Sequence, residues 1–365
     1  MSRIRFEGVS KSYRGAKALD GIDLEIEPSS LSVLYGPPGC GKSVLMRILI
    51  GLEAPTSGRI LFDGEDITGW PAADRSIGYV PQSFALFPHM SVADNIGYPL
   101  ALQRVPRQEI ARRVDQVARM LGVRPLLAKR PTQLSGGEKQ RAAIARGILK
   151  NAEIFILDDP LVGLDFKLRE SLMEDLKDMR AELGATFLYL TADPIESLAM
   201  AEQLVVIDQG RVVEAGAVDG IYYDPVHLRT AELVGFPRCN ILPGEVDQAA
   251  RICNSAIGRL GMAFENDGVA SEVMLAIRPE DIAPVHSGRV PFGIGTITLF
   301  EHLGSESVVY FRAGETTLVT TIPASDAAPI EPGDDFPFMI RPGGPLVFDR
   351  ATGRRVGRIG EAPHG

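Results

Sequence analysis

A glycine-rich segment at 36–43 combines residue types and spacing that suit the binding of a polyphosphate. It reads GPPGCGKS and matches the pattern G-x-x-x-x-G-K-[ST] at every position. Three glycines let the backbone curl so that successive N–H groups point at an anion. In such a loop Lys42 reaches the β- and γ-phosphates of a nucleotide and Ser43 ligates Mg²⁺. The segment therefore predicts nucleotide binding by Gly36, Pro37, Pro38, Gly39, Cys40, Gly41, Lys42 and Ser43.

The residues on either side of this segment are of the kind that the mechanism requires. The apolar run 31–35 predicts a buried strand, and 44–52 predicts a helix that begins near Lys42. The positive end of that helix adds to the attraction for phosphate. A chance glycine-rich turn would not need a strand before it and a helix after it, so we favour the phosphate-binding interpretation.

Asp158 ends a second apolar run, IFILD at 154–158. A buried strand of a parallel sheet that ends in a carboxylate can bring that group close to a nucleotide-bound Mg²⁺. Taken alone this pattern is weak, because many apolar strands end in aspartate.

Ser135, Gly136 and Gly137 open a strongly helical stretch within LSGGEKQR at 134–141. The start of a helix attracts anions through its free N–H groups and its dipole. The same residues also fit an ordinary capping box, with Ser135 at the N-cap and Glu138 three residues later. Because a cap and a phosphate contact are compatible, both interpretations stay open.

LSGGEKQR closely resembles the signature motif of ABC transporter ATPases, apart from Glu138, where glutamine is commonest. The resemblance implies that Asp158 is the Walker B aspartate and that Asp165, in LVGLD, is the D-loop aspartate. It implies that Gln82 belongs to the Q-loop, which touches the metal site and packs against the permease. Tyr13 matches the aromatic residue that stacks on adenine, although it also fits a packed hairpin tyrosine. The implied cofactors are ATP and Mg²⁺, with Mg²⁺ held by Ser43, Gln82 and Asp158.

Two positions depart from the pattern of this family. Where the family has a glutamate directly after the Walker B aspartate, this sequence has Asp159, and where the family has a switch histidine, it has Ala192. Val162 and Gly163 replace a small polar pair beside the D-loop. Each change could be harmless drift, but Asp159 and Ala192 affect the same step, the attack on the γ-phosphate. We therefore predict that nucleotide binding is retained and hydrolysis at this chain's own site is impaired.

The pattern along the 365 residues predicts two domains. Residues 1–236 alternate strand-like and helical runs, which is typical of an α/β domain with a largely parallel sheet, and about 88–150 is mostly helical. Residues 237–365 contain short alternating runs separated by Gly and Pro, which predict an all-β domain of small barrels. The tail segments 240–246, 276–282, 301–307 and 346–356 resemble the appended OB-like or TOBE-type β domain of maltose, sugar-phosphate and polyol importers.

Charge, cysteine content and hydrophobicity restrict the kinds of partner and compartment that suit this chain. The net charge of −9 argues weakly against a nucleic-acid partner, because phosphate recognition usually shows as a basic excess. The three cysteines have neither metal-binding nor disulfide spacing, which favours a reducing compartment. We see no secretory signal and no apolar run near the ~20 residues that span a bilayer.

The resemblance implies a set of partners and a location. They are two transmembrane permease subunits, an extracytoplasmic solute-binding protein, and the cytoplasmic face of the cell (inner) membrane, where the chain is peripheral. The solute class is a sugar, polyol or glycerol-type compound, and the β domain has a regulatory or dimer-contact role. Because two impaired sites would leave little turnover, we predict a heterodimer with a homologous, catalytically complete subunit.

Two other functions would leave different features in the sequence. A soluble ABC ATPase without a transporter usually carries two fused cassettes or long coiled-coil insertions, and the sequence has neither. A regulatory subunit or sensor that binds ATP without turnover fits the altered residues, but the signature helix and the Q-loop favour transport.

Overall fold

The computed structural model describes residues 3–150, 152–264, 271–285, 290–326 and 331–360. The chain divides into two compact units, Met1–Val218 and Asp219–Gly365. The boundary predicted at 236 lies further along the chain than this division.

The first unit contains a four-stranded antiparallel sheet and a six-stranded, mostly parallel sheet. The parallel sheet was predicted from the sequence, and the antiparallel sheet was not. The strands are β1 Ile4–Tyr13, β2 Ala16–Ile26, β3 Leu31–Tyr35, β4 Ser57–Phe62, β5 Glu65–Asp66, β6 Ile77–Val80, β7 Ile154–Asp158, β8 Thr186–Thr191, β9 Gln203–Asp208 and β10 Arg211–Ala217.

The six-stranded sheet has the order β10-β9-β3-β8-β7-β6, in which only the β10–β9 pair is antiparallel. Strands β3 and β8 are buried along their whole length, as expected for strands that are covered on both faces. The carboxyl ends of parallel strands share one edge of a sheet, where α/β proteins bind ligands. The segments that follow β3, β6, β7 and β8 therefore meet at that edge.

The antiparallel sheet has the order β2-β1-β4-β5. Its long β1–β2 hairpin is closed by Arg14 and Gly15, both with positive φ (48° and 88°). Positive φ at both central residues is the requirement of a type I′ turn, which matches the twist of the two strands. Tyr13 pairs with Ala16 at the end of this hairpin.

In the described part of the first unit, α-helices follow β3, β6, β7 and β8 along the chain. They are α1 Lys42–Ile50, α2 Val92–Leu102, α3 Arg107–Met120, α4 Gly136–Ile148, α5 Phe166–Leu183 and α6 Pro194–Met200, with 3-10 turns at Arg124–Leu126 and Pro131–Gln133. The predicted helix therefore begins at Lys42, as expected, and ends at Ile50, two residues before the end of the predicted run at 44–52. Gly51 ends it because its left-handed conformation (φ 86°) brings its N–H back to carbonyls of the last turn.

The second unit begins with two short helices, α7 Val218–Tyr223 and α8 Leu228–Leu233, and is otherwise all β, as predicted. Strands β11, β12, β13, β21, β20 and β14 close a barrel, and β15, β19, β16, β17 and β18 form a five-stranded sheet. In chain order they are β11 Asn240–Asp247, β12 Ile252–Ser255, β13 Gly258–Phe264, β14 Glu272–Ile277, β15 Ile282–Pro284, β16 Gly293–His302, β17 Glu306–Ala313, β18 Thr316–Pro323, β19 Asp335–Ile340, β20 Leu346–Asp349 and β21 Arg355–Ile359, with 3-10 turns at Pro279–Asp281 and Ala324–Asp326.

Asn240 joins the barrel and the five-stranded sheet of the second unit. Its buried amide accepts from the Val319 N–H (2.7 Å) and donates to the carbonyl oxygens of Val319 (2.9 Å) and Ile277 (3.1 Å). A buried amide with all of these bonds is stabilising, whereas an unpaired one would cost free energy. The two β layers therefore pack in one defined register around a shared apolar core.

Among the helices in the described ranges, none is long and apolar enough to cross a bilayer.

Candidate nucleotide site

A cavity of about 780 Å³ lies at the carboxyl edge of the parallel sheet. It brings together eight of the residues predicted for nucleotide binding or catalysis, which come from four separate segments of the chain. These are Pro38, Gly39, Gly41, Lys42, Ser43, Gln82, Asp159 and Ala192. The remaining lining residues are Ala18, Val44, Val162, Gly163, Arg169, Thr191, Asp193, Pro194 and Glu196.

The loop between β3 and α1 has a shape that only glycine permits at key positions. A Cβ on Gly36 would lie 2.0 Å from the carbonyl oxygen of Ile207, and one on Gly41 would lie 2.9 Å from that of Ala18. Gly39 and Gly41 have positive φ, 79° and 112°. The loop thus curls tightly into the first turn of α1, where free helix N–H groups suit a phosphate.

Lys42 is the first residue of α1, and its side chain is only 7% exposed. Its ammonium Nζ donates to the carbonyl oxygens of Gly36 (2.6 Å) and Pro37 (3.3 Å), and it lies 3.8 Å from Sγ of Cys40. Gly36, Pro37 and Cys40 are absent from the residues that line the cavity. Their contribution in this structure is to hold the lysine within the loop. Burial raises the pKa of the Cys40 thiol, so it stays protonated at neutral pH.

Asp158 and Asp159 lie next to each other where β7 ends. Burial raises the pKa of both carboxyls, and the Asp158 charge raises that of Asp159 further. The Tyr79 hydroxyl donates to Oδ2 of Asp158 (3.3 Å), while burial and this carboxylate raise the pKa of Tyr79 to about 12. Asp159 lines the cavity and Asp158 does not. Asp159 has a positive φ of 45°, and its N–H donates to the carbonyl oxygen of Leu190 (3.0 Å).

Ala192 follows β8 and lies against Asp159. The Ala192 backbone amide lowers the pKa of the Asp159 carboxyl and so partly opposes the effect of burial. A methyl group is all that the Ala192 side chain presents to the cavity, so it can neither donate to nor accept from a bound group.

Glu196 and Arg169 line the cavity but were not identified from the sequence. The buried Glu196 carboxylate accepts from the Tyr189 hydroxyl and from Oγ1 of Thr191, both at 2.8 Å, and burial raises its pKa. Arg169 of α5 donates from Nη1 to Oδ2 of Asp193 (3.3 Å). Asp193 is the N-cap of α6, and Glu196 follows three residues later, which is the spacing of a capping box. This spacing was the feature of the sequence that could have identified Glu196.

The signature residues lie outside the cavity, at the start of α4. The predicted capping box is confirmed: the Ser135 N–H donates to Oε2 of Glu138 (2.7 Å), and the Glu138 N–H donates to Oγ of Ser135 (3.3 Å). Gly137 is buried, and a Cβ there would lie 3.1 Å from Leu168 of α5. Gly136 has no such neighbour.

Asp165 and Tyr13 also lie outside the cavity. Asp165 is the N-cap of α5, and its Oδ1 accepts from the Leu168 N–H (3.0 Å). Tyr13 is 42% exposed at the end of the β1–β2 hairpin, and its hydroxyl donates to Glu53. It belongs to the same hairpin as Ala18, which does line the cavity.

The donor set suits Mg²⁺. Ser43 and Gln82 line the cavity and carry a hydroxyl and an amide oxygen, whereas Asp158, at the end of β7, carries a carboxylate but does not itself line the cavity. Mg²⁺ prefers such oxygen ligands and is usually held by one or two protein groups together with substrate phosphates. Within the described ranges, no group of three His, Cys, Asp or Glu side chains could hold a metal without such help.

Comparison with known proteins identifies the class. The model of the ABC transporter family matches residues 19–162, and that of the TOBE domain matches 275–348. The chain belongs to the family of ABC transporter ATP-binding proteins, with an ABC ATPase P-loop domain followed by an all-β TOBE domain.

Three relatives match 98% of this chain over their full lengths. The chain is 34% identical to the uncharacterized ABC transporter ATP-binding protein YurJ of Bacillus subtilis. It is 35% identical to the trehalose/maltose import ATP-binding protein MalK of Thermococcus litoralis and 36% identical to the sn-glycerol-3-phosphate import ATP-binding protein UgpC of Burkholderia mallei. A dimeric ATP-binding cassette bound to ADP and phosphate superposes with a TM-score of 0.54 at 28% identity, over 59% of this chain and 98% of that one.

Proposed function

We propose that this chain binds and hydrolyses ATP to drive the import of a sugar, polyol or glycerol-type solute. Relatives named for trehalose/maltose import and for sn-glycerol-3-phosphate import, matched along their full lengths, support this proposal. Because the two relatives are named for different solutes, we propose only a class of solute for this chain and no single compound. Two transmembrane permease subunits and an extracytoplasmic solute-binding protein complete the system, and the chain acts as a peripheral protein at the cytoplasmic face of the cell (inner) membrane.

In this proposal the cavity at the end of the parallel sheet holds the nucleotide phosphates. Lys42 exchanges its bonds to the loop carbonyls for bonds to the β- and γ-phosphate oxygens, and Tyr13 stacks on adenine. Ser43, Gln82 and Asp158 hold Mg²⁺, which when bound neutralises charge on the phosphate oxygens. Asp165, in the D-loop, and the signature residues face the second ATPase subunit.

The second part of the proposal is that this chain's own site hydrolyses ATP poorly. Hydrolysis requires a water oxygen to attack the γ-phosphorus while the bond to ADP breaks and the water loses a proton. Asp159 lines the cavity where the family has a glutamate, and its carboxylate is retracted by about one C–C bond. A displacement on the order of 1 Å can cost about 100-fold in rate.

The observation that carries this part is the pairing of Asp159 with Ala192 in one cavity with Lys42 and Ser43. Ala192 offers a methyl group where the family has an imidazole. Losing one preorganised polar contact at a reacting centre typically costs about 10²–10³ in rate. The groups that hold phosphate are present, whereas the two that would orient the attacking water are altered.

Because this chain's own site keeps the groups that bind phosphate but has altered groups for hydrolysis, we propose that it works as a heterodimer with a homologous, catalytically complete subunit. In ABC proteins each nucleotide lies between the P-loop of one subunit and the signature helix of the other. The site on this chain's P-loop contains Asp159 and Ala192 and acts as an ATP-filled clamp. The partner's site receives this chain's Ser135, Gly136 and Gly137, and it performs most of the turnover.

The test is ATPase activity of this chain alone and after co-expression with its homologous partner. We expect slow hydrolysis by the isolated chain and rapid hydrolysis by the complex, which Asp159→Asn leaves nearly unchanged. Asp159→Glu combined with Ala192→His should raise hydrolysis by the isolated chain. Robust hydrolysis by the isolated chain, undiminished by Asp159→Asn, would contradict the asymmetric-site proposal.

An ATP-binding regulatory subunit without turnover is the alternative that the same pair of residues favours. Co-purification with membrane permeases separates the two. We expect both permease subunits to co-purify with this chain. A complex that contains this chain and its ATPase partner but no permease would support the regulatory function instead.

A further inference from the structure

Three side chains form a polar cluster around the exposed ring of Tyr13. The Tyr13 hydroxyl donates to Oε2 of Glu53, and Arg47 donates from Nε to Oε1 of the same carboxylate (2.7 Å). Lys11 lies 3.6 Å from Oε2 of Glu53, and its Nζ also donates to the carbonyl oxygen of Ala54 (2.7 Å). We call Lys11, Arg47 and Glu53 the Tyr13 clamp.

The clamp leaves part of the tyrosine ring accessible. Nζ of Lys11 lies 5.2 Å from the ring centroid, a distance typical of a cation–π contact, so it occupies one face of the ring. Tyr13 nevertheless remains 42% exposed. A planar, electron-rich surface held in this way is suited to stacking against a second aromatic ring.

Both the backbone and the side chain of Tyr13 are fixed. The backbone pairs with Ala16 directly before the type I′ turn that closes the hairpin. The hydroxyl is fixed by the carboxylate of Glu53, which two cations of the clamp hold in place. An aromatic side chain that is fixed before binding loses less rotamer freedom when it contacts a ligand, so less affinity is lost to ordering.

The clamp also connects the ring to the phosphate-binding loop. Arg47 belongs to α1, whose first two residues are Lys42 and Ser43, and Glu53 follows the end of that helix. A helix rises about 1.5 Å per residue, so Lys42 and Arg47 are separated by about 7.5 Å along its axis. One rigid element therefore sets both the phosphate cradle and the position of the ring.

We propose that Glu53, supported by Arg47 and Lys11, is a positioning residue that fixes the Tyr13 ring for stacking on the base of the bound nucleotide. This inference rests on the proposed ATP site. Glu53 acts through the tyrosine and contacts no part of the nucleotide itself. The clamp contributes to affinity for a ligand that carries a base, and it contributes nothing to affinity for phosphate groups alone.

The experiment compares two probes, Mg-ATP and Mg-bound inorganic triphosphate, by calorimetric titration of the full-length chain. We expect Tyr13→Phe and Glu53→Ala each to weaken ATP binding about 3- to 10-fold. Each variant loses the hydrogen bond between the Tyr13 hydroxyl and Glu53, and with it the ordering of the ring. The double variant should be no weaker than the weaker single variant, because both changes remove the same contact. Triphosphate affinity should stay at the wild-type value in all three.

Tyr13→Ala is the reference for complete loss of stacking and should weaken ATP binding more than Tyr13→Phe does. Glu53→Gln, which keeps an acceptor for the hydroxyl, should be intermediate and guards against misfolding of Glu53→Ala. Wild-type ATP affinity in Tyr13→Phe and both Glu53 variants would overturn the inference, as would equal losses for ATP and triphosphate. Failure of the wild-type chain to bind either probe would instead refute the proposed nucleotide site.

Discussion

Lys42 shows how a single residue serves both folding and binding. Its buried ammonium satisfies carbonyl oxygens of the loop that precedes it, and those bonds keep the charge at the loop centre. A buried cation needs such partners, because desolvation without them is costly. The same position makes it available to phosphate oxygens that enter the cavity.

We expect Lys42→Ala to remove most nucleotide affinity, with ATP binding weakened about 100-fold or more, because a charge-assisted contact to the phosphates is lost. Titration with ATP measures this. Circular dichroism must show an unchanged fold, and Arg59→Ala, at an exposed position of strand β4, is the control for loss of a positive charge. Undiminished binding by Lys42→Ala would show that the site is assigned wrongly.

Asp281 predicts a pH effect on the stability of the second unit. Burial, and the nearby Glu280 charge, raise the pKa of its carboxyl from 3.8 to about 6. The folded state therefore holds this proton more tightly than the unfolded state, and the group's contribution to stability falls as pH rises from about 4 to about 6. We expect Asp281→Asn to stabilise the unit at pH 7.5 by up to about 2 kcal/mol and to flatten this dependence.

Urea unfolding at pH 5 and at pH 7.5 tests this prediction, and Asp349→Asn is a control of opposite sign. Asp349 accepts bonds from the Thr352 N–H and hydroxyl, which lower the pKa of its carboxyl. Its removal should destabilise the unit at pH 7.5. Equal destabilisation by both variants would show that burial does not raise the Asp281 pKa.

At the scale of an element, helix α4 combines a cap with the proposed contact to the partner's nucleotide. The capping box satisfies N–H groups at the start of α4, which also carries the signature residues. Stability and function can be separated here because glycine is nearly as good an N-cap as serine, whereas alanine is not.

We expect Ser135→Ala to lower the free energy of unfolding by about 1 kcal/mol and Ser135→Gly by only a few tenths. Both variants lack the hydroxyl, so both should reduce ATPase activity of the two-subunit complex to a similar extent. Thermal unfolding and ATPase assays on the same preparations measure the two effects. Activity that follows stability, with Ser135→Gly near wild type, would mean that Ser135 acts only as a cap.

At the scale of the whole molecule, the predicted domain boundary at 236 can be compared with the division after Val218. Helix α8 contributes Ala231 to a small apolar cluster with Cys239, Ala276 and Phe348, all from the second unit. Arg278 donates to the carbonyl oxygen of Val234 as well. These contacts assign 219–236 to the second unit in its folded form.

We expect fragments 1–218 and 1–236 both to bind ATP with the affinity of the full chain, because every cavity-lining residue precedes 218. Residues 219–236 should be cleaved rapidly by protease in the longer fragment, since their apolar partners are missing. Titration and limited proteolysis measure the two effects. A folded 1–236 fragment that cannot bind ATP would show that the domains were divided wrongly.

The sequence by itself determined the features that depend on local chemistry. The glycine spacing and Lys42 predicted the phosphate loop, and the capping box at Ser135 follows from residues three positions apart. The apolar runs at 31–35 and 154–158 predicted buried strands, and the change of pattern after residue 236 predicted an all-β region. Each of these signals is contained within a few consecutive residues, where propensity and periodicity act directly.

Only the tertiary structure decided which distant residues meet. Strand order brings Asp159 and Ala192 to one sheet edge, and it also brings Arg169 and Glu196 into the same cavity, which the sequence did not indicate. The Tyr13 clamp likewise joins a hairpin to the end of α1 across a long stretch of chain. Such contacts depend on how strands and helices pack, and no local pattern encodes a packing arrangement that is set by the whole domain.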